Sequence, residues 1–187
     1  IGAGQGFGLL LILETMDGFS EGWGFSWGDV LANGLGTGLM VGQELAWGEQ
    51  RIIPRFSFYQ TEFPPMRPEL LGSNFAERMM KDYNGQVYWL SIAPQCFWNP
   101  EKKWMNMFQL SLGYGAYGML TGRESDAATT PGVLFVERYH QFFLSADIDW
   151  RYVPVKWKGW RITSRILNAF KLPFPSLVFD QRGTSFH

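Results

Sequence analysis

Four polar side chains near the N-terminus have types and spacings that could do acid–base chemistry. Glu14 and Asp17 are three residues apart, and Asp29 and Asn33 are four residues apart. Residues at these spacings share one face of a helix. If the two helices pack together, the carboxylates would have shifted pKa values and could bind a cation or transfer protons. The alternative is that each side chain caps a helix or hydrogen-bonds a neighbouring turn.

Histidine and cysteine add little to this chemistry. The chain has two histidines, His140 and His187, and one cysteine, Cys96. These numbers exclude a zinc cluster of His and Cys ligands and a scaffold of disulfides. His140 starts a predicted strand, where it is a candidate general base or, alternatively, a hydrogen-bonded structural residue. No nucleophile elbow, phosphate loop or dinucleotide-binding glycine pattern is present, so we expect no metal and no cofactor.

The composition is unusual for a protein surrounded by water. Aromatic residues make up 17% of the 187 residues and charged residues 18%, against about 25% charged residues in typical soluble domains. This composition excludes disorder, and the net charge of −1 argues against nucleic-acid binding. Residues 151–187 contain seven bases and one acid. A basic, aromatic-rich end indicates an anionic surface such as lipid headgroups, unless these bases only solvate one face or pair with the acidic N-terminal part.

The apolar residues 6–16 are predicted to end a buried helix, and two longer helices are predicted, one on each side of a strand-rich region. The first covers residues 26–47 and carries Gly34, Gly38 and Gly42 at every fourth position. Because each glycine costs about 1 kcal/mol relative to alanine, this stripe indicates close packing of another helix, for which the apolar residues 6–16 are the candidate. The alternative is that this Gly-rich stretch is not helical. The second covers residues 159–171 and has Trp160, Ile162, Ile166, Leu167 and Phe170 opposite Lys158, Arg161 and Arg165. It is either an interfacial helix or a helix packed on the sheet with its bases in water.

Between the helices, apolar residues recur with a period of two, which predicts antiparallel strands. The clearest runs are residues 107–116 and 141–152, and shorter ones cover 55–62 and 86–92. One more short run, 176–180, follows the second helix. Their polar faces would line an interior or meet water. The two long runs match the ~9–11 residues of strands in membrane β-sheets, with aromatic residues near the ends.

These elements predict an α+β fold in a single domain. Residues 1–50 are helical, 51–156 form mainly antiparallel strands, and 157–187 form an amphipathic helix and tail. We expect the N-terminal Gly-rich helices to pack with an antiparallel, membrane-type β-sheet or partial barrel, followed by the C-terminal amphipathic helix. A soluble antiparallel sheet packed on the helices needs the same alternation and is the alternative.

Three strings of the chain carry a family resemblance. They are Glu14-Thr-Met-Asp17 with the following Gly22-Trp23-Gly24-Phe25-Ser26-Trp27-Gly28-Asp29, then residues 81–91, then residues 138–149. Together they resemble the YfiM-like family of predicted periplasmic or outer-membrane lipoproteins, whose function is unknown. The resemblance covers about residues 14–175. It implies a location in the bacterial cell envelope, at the outer membrane or its periplasmic face, and implies no reaction.

The sequence therefore predicts a non-enzymatic outer-membrane accessory or structural subunit. Its expected partners are membrane lipid and other outer-membrane proteins, with no nucleic acid. The residues expected to face membrane or partner are Phe108, Leu110, Leu112, Tyr114, Phe142, Leu144, Ile148, Trp150, Trp160 and Phe170. One alternative is a soluble or peripheral lipid- or ligand-binding β-domain. Another is a membrane-associated hydrolase that uses clustered carboxylates, with Glu14, Asp17, Asp29 and His140 as its candidate catalytic residues.

Overall fold

A computed structural model describes residues 27–98, 103–121 and 136–186, without the side chains of Asp29 and Lys103. The chain divides into two compact units, Ile1–Arg51 and Ile52–His187. Helices and a six-stranded antiparallel sheet make up the described elements, which confirms the predicted α+β class. Within the described residues, no helix is long and apolar enough to cross a membrane.

The first unit contributes one described helix, α1 (Trp27–Trp47). The helix ends where Gly48 adopts a positive φ of 68° and donates its N–H to the Glu44 carbonyl at 2.9 Å, a common helix C-cap. Gly38 and Gly42 have open space around the position of an added Cβ, as far as the described residues go. The predicted partner helix, residues 6–16, lies outside them. The packing role of Gly34, Gly38 and Gly42 therefore stays a prediction.

The second unit is built on a sheet whose strands follow one another in chain order, β1-β2-β3-β4-β5-β6, all antiparallel. The sheet is open, with β1 and β6 at its edges, and the ten-residue strands β3 and β4 lie at its centre. The strands are β1 (Ile52–Phe58), β2 (Gln86–Ile92), β3 (Phe108–Tyr117), β4 (Tyr139–Ile148), β5 (Ser176–Asp180) and β6 (Gly183–Phe186). The helices are α2 (Pro68–Leu71), α3 (Phe75–Lys81) and α4 (Trp160–Leu167), with 3₁₀ turns at Pro94–Cys96, Lys103–Met107 and Trp150–Tyr152.

A buried polar turn sets the start of β2. The Asp82 carboxylate accepts hydrogen bonds from Thr61 Oγ1 at 2.5 Å and from Asn84 Nδ2 at 2.9 Å. The Asn84 side-chain oxygen in turn accepts the Met119 N–H at 2.6 Å. Both Asp82 and Asn84 are fully buried. Because buried polar groups need partners, this network ties the turn to the end of β3 and orients the sheet edge.

The free edge of β1 is covered by the segment that follows α4. Phe56 donates its N–H to the Ala169 carbonyl and accepts the Lys171 N–H, both at 2.9 Å. These bonds satisfy backbone groups that an edge strand would otherwise present for pairing with another chain. They also hold Lys171 beside the sheet.

Several elements differ from the sequence-based expectation, and β1 covers Ile52–Phe58 instead of residues 55–62. The second long strand, predicted to reach residue 152, ends at Ile148, because the Asp149 carboxylate accepts the Arg151 N–H at 3.0 Å and caps a 3₁₀ turn. Trp150 therefore leaves the strand face, is half-buried, and packs edge-on against Trp160 with ring centroids 6.1 Å apart. Helix α4 stops at Leu167 instead of residue 171, and β6 was not predicted.

Candidate functional site

One face of the sheet consists of exposed apolar side chains. Phe108, Leu110, Leu112 and Tyr114 of β3 are 43–48% exposed, and Phe142 of β4 is 56% exposed. In a sheet with one solvated face, the apolar face is normally the buried one. Here this apolar face is exposed, and the buried face combines polar side chains with the apolar cluster of Val87, Trp89, Phe143 and Val178. The exposed apolar surface is termed the aromatic face, and Phe56 and Leu144 in it are half-buried. Its exposed members are Tyr88, Leu90, Phe108, Leu110, Leu112, Tyr114, Phe142, Leu177 and Phe179.

The strand register arranges these side chains in rows that cross the sheet. An aromatic row contains Phe56, Tyr88, Tyr114, Phe142 and Phe179. The next row on this face is aliphatic and contains Pro54, Leu90, Leu112, Leu144 and Leu177. Leu110 and then Phe108 follow along β3, and Trp104 packs edge-on against Phe108 at 6.1 Å. Aliphatic residues therefore lie between two aromatic ends, which are six residues apart on β3, or roughly 20 Å at ~3.4 Å per residue.

At the aromatic row, tyrosine hydroxyl groups make hydrogen bonds at the end of the sheet. The Tyr114 hydroxyl lies 2.7 Å from His140 Nδ1, and the two rings stack with centroids 5.7 Å apart. The Tyr88 hydroxyl donates to Gln86 Oε1 at 2.7 Å. Rings with an apolar body and a hydrogen-bonded tip suit a boundary between an apolar medium and water. His140, a candidate base from the sequence, is thus the exposed partner of a phenol in this row.

Two isoleucines of helix α4 are exposed, whereas Trp160 and Leu167 are half-buried. Ile162 and Ile166 are 66% and 59% exposed, beside the exposed Arg161 and Arg165. Its buried side is polar: Ser164 and Asn168 are buried. The Asn168 amide donates to Asp149 Oδ1 at 2.7 Å and accepts the Trp150 N–H at 2.9 Å. The two isoleucines therefore do not pack on the sheet.

The opposite face of the sheet holds a buried ionic network. Arg55 and Asp147 have fully buried side chains, with Nε and Oδ2 3.4 Å apart. Arg55 Nη2 donates to Gln109 Oε1 at 2.6 Å, and Gln109 Nε2 donates to Asp149 Oδ2 at 3.3 Å. Arg151 binds the Asp149 carboxylate at 2.6 Å. Burial lowers the pKa of the Arg55 guanidinium, and the Asp147 and Asp149 carboxylates oppose that effect.

Serines extend this network across the sheet. Ser91 and Ser111 face each other in the register with their hydroxyl oxygens 2.7 Å apart, and Ser91 Oγ lies 3.4 Å from Asp147 Oδ2. All three side chains are buried. The sequence predicts that the polar faces of the strands either line an interior or meet water, and in the structure they line an interior. Arg55 was missed as a member, although its place in the alternation of β1 could have revealed it.

The predicted carboxylate cluster is not assembled by the described residues. Glu14 and Asp17 lie outside them, and Asp29 lies on α1 with its side chain undescribed. Within the described part of the chain, no group of three or more His, Cys, Asp or Glu residues could hold a metal ion. Nothing in the described geometry therefore brings Glu14, Asp17, Asp29 and His140 together.

Comparison with known proteins adds no relative. No protein-family model, no curated protein and no solved structure matches the chain. The resemblance to the YfiM-like family stays a prediction from short strings. The aromatic face, helix α4 and the buried network are the described features that bear on function.

Proposed function

We propose that this chain is a non-enzymatic accessory subunit of the bacterial cell envelope, at the outer membrane or its periplasmic face. In this proposal, the aromatic face lies against the acyl chains of membrane lipid. The observation that carries the proposal is the order of exposed rows on that face, with aliphatic residues between two aromatic ends. Sheets of outer-membrane proteins have an outward apolar band about 25 Å tall, flanked by aromatic residues at both interfaces.

The contrast between the two faces of the sheet supports an apolar environment for the aromatic face. Soluble monomers rarely expose contiguous apolar patches larger than a few hundred Å². Here five neighbouring side chains of β3 and β4 are each 43–56% exposed, while ions and serines share the buried side with a small apolar cluster of Val87, Trp89, Phe143 and Val178. An antiparallel sheet with one face in water normally has its apolar side chains on the buried face and its polar side chains on the solvated face.

Helix α4 favours lipid over a protein as the partner of the aromatic face. Its exposed isoleucines suit the acyl boundary, and Arg161 and Arg165 suit anionic headgroups. Lys156 and Lys158, also exposed, precede the helix and add to its positive charge. An apolar protein surface would require neither the bases nor the aromatic ends.

Vesicle flotation tests the proposal. Purified protein is diluted from detergent into zwitterionic phospholipid vesicles and centrifuged through a density gradient. Leu112, at the middle of the band, is replaced by Lys, and the matched control is Gln60→Lys at an exposed position after β1. A Lys at the bilayer midplane costs about 2–4 kcal/mol, so Leu112→Lys should lower the ratio of bound to free protein roughly 30-fold or more. Circular dichroism checks that both variants are folded.

The proposal fails if Leu112→Lys floats as well as Gln60→Lys. It also fails if the unmodified protein is a monodisperse monomer in detergent-free buffer and remains in the aqueous fraction. If the protein avoids protein-free vesicles but purifies from native membranes with another membrane protein, the aromatic face binds that protein and the lipid assignment is wrong.

A further inference from the structure

A cleft of about 720 Å³ lies at the β1 side of the sheet, and Phe56 is the one described residue that it shares with the aromatic face. Its walls are largely apolar and include Phe58, Phe75, Val87 and Phe143. Cavities of ~300–1,000 Å³ with mostly apolar walls and a few polar groups are typical of small-ligand sites. The polar group that matters here is Lys171, which also lines the cleft.

Lys171 is a buried cation whose close contacts are a backbone carbonyl and two aromatic rings. Its residue is 8% exposed, and its Nζ donates to the Leu172 carbonyl at 2.8 Å. Nζ also lies 5.0 Å from the ring centre of Trp89 and 5.4 Å from that of Phe174. None of the ion pairs among the described residues includes Lys171. Burial lowers the pKa of its ammonium group, as expected for a charge removed from water.

Among the described charged groups of this region, Lys171 is the cation that is not paired with a carboxylate. The buried network holds two carboxylates, and each already has its own guanidinium: Asp147 pairs with Arg55, and Asp149 pairs with Arg151. Lys171 is the third cation of this region, and both Asp147 and Arg55 act on its charge. A buried charge is costly unless it is paired. One additional negative charge placed in the cleft would therefore balance the region.

We propose that the cleft binds a single-chain fatty acid, with its carboxylate on Lys171 and its hydrocarbon tail along the apolar walls. One lysine supplies one positive charge, which matches a carboxylate monoanion. The apolar walls exclude a ligand that is polar along its length. Lys171 and the other named wall residues do not belong to the aromatic face, and flotation and ligand titration are separate measurements, so the failure of this proposal and the failure of the lipid-contact proposal are observed independently.

Nuclear magnetic resonance of a labelled ligand tests the site directly. Protein in uncharged maltoside micelles is titrated with dodecanoate that carries ¹³C at the carboxyl carbon. We expect a bound resonance, distinct from the micellar one, that saturates at one equivalent. Lys171→Met should weaken this binding roughly tenfold or more, because it removes a charge-assisted hydrogen bond. Lys171→Arg should retain it, and Lys81→Met, at an exposed position of α3, is the matched control.

Two results would overturn the proposal. One is a spectrum with the micellar resonance alone, and the other is a saturable resonance that survives Lys171→Met. If the Met variant fails to fold, a pH titration of the unmodified complex decides. A carboxylate held by Lys171 must titrate with a pKa below that of the same acid in the micelle, and equal pKa values would refute the contact.

Discussion

Breaking the buried pair between Arg55 and Asp147 should destabilise the second unit strongly. Both side chains are fully buried, and their charged atoms are 3.4 Å apart. At an effective dielectric constant of ~20, that separation corresponds to roughly 5 kcal/mol of attraction. Removal of one partner from a buried pair typically costs about 3–5 kcal/mol, because the other charge is left uncompensated. Arg55 keeps its hydrogen bond to Gln109, so we expect about 3 kcal/mol for Asp147→Ala.

Urea unfolding in a fixed concentration of uncharged detergent, followed by tryptophan fluorescence, measures this cost. The midpoint should fall while the denaturant slope stays unchanged, since the surface exposed on unfolding is similar. The control is Glu69→Ala, which breaks the exposed pair with Arg67 and should leave the free energy of unfolding nearly unchanged. A loss of less than about 1 kcal/mol for Asp147→Ala would refute the reasoning.

A double variant separates lost charge pairing from lost packing. Arg55→Met with Asp147→Leu removes both charges and keeps apolar volume, and such replacements are often neutral or stabilising. The double variant should therefore be more stable than Asp147→Leu alone. If the two substitutions are simply additive, the pair is not the cause.

Two further predictions concern the inner face of the sheet and the wall of the cleft. A Cβ on Gly113 would lie 2.6 Å from the buried Trp89 ring, whereas one on Gly115 would meet its nearest atom at 3.3 Å. Gly113→Ala should therefore lower the free energy of unfolding in urea by about 1–3 kcal/mol. A loss no greater than that of Gly115→Ala would contradict the overpacking argument. Burial raises the pKa of Tyr59 to about 12, so the folded state holds the phenol proton more tightly than the unfolded state. The contribution to the free energy of unfolding is complete below pH 10 and is lost as the pH rises towards 12. Tyr59→Phe should remove up to roughly 2 kcal/mol of that decline, and identical pH profiles for the two proteins would exclude Tyr59 as its source.

Much of the sheet could be predicted because alternation is a local property of the chain. The strands Gln86–Ile92 and Ser176–Asp180 have the predicted bounds, and β3 differs from its prediction by one residue at each end. Side chains on a strand alternate between faces whatever the fold, so the pattern identified Phe108, Leu110, Leu112 and Tyr114 as one set. The end of β4 could not be predicted, because the 3₁₀ turn after it depends on the Asp149 cap and on the contact with Asn168.

The alternation by itself left open which face would be buried. A soluble sheet and a membrane-type sheet share the same period, and they differ only in what covers each face. The structure decides this through long-range pairs: Arg55 reaches Asp147 and Gln109, and Asn168 reaches Asp149. Residues separated by 19 to 92 positions take part in these contacts, and no local pattern encodes them.

The sequence by itself determined the α+β class, the two faces of the central strands and the amphipathic character of α4. These follow from periods of two and about 3.6 residues, which are set by backbone geometry. Only the tertiary structure decided that the polar faces are inside, that Ile162 and Ile166 point outward, and that Lys171 has no carboxylate of its own among the described residues. Burial and charge balance depend on which segments come together, and that is settled by the packing of the whole unit.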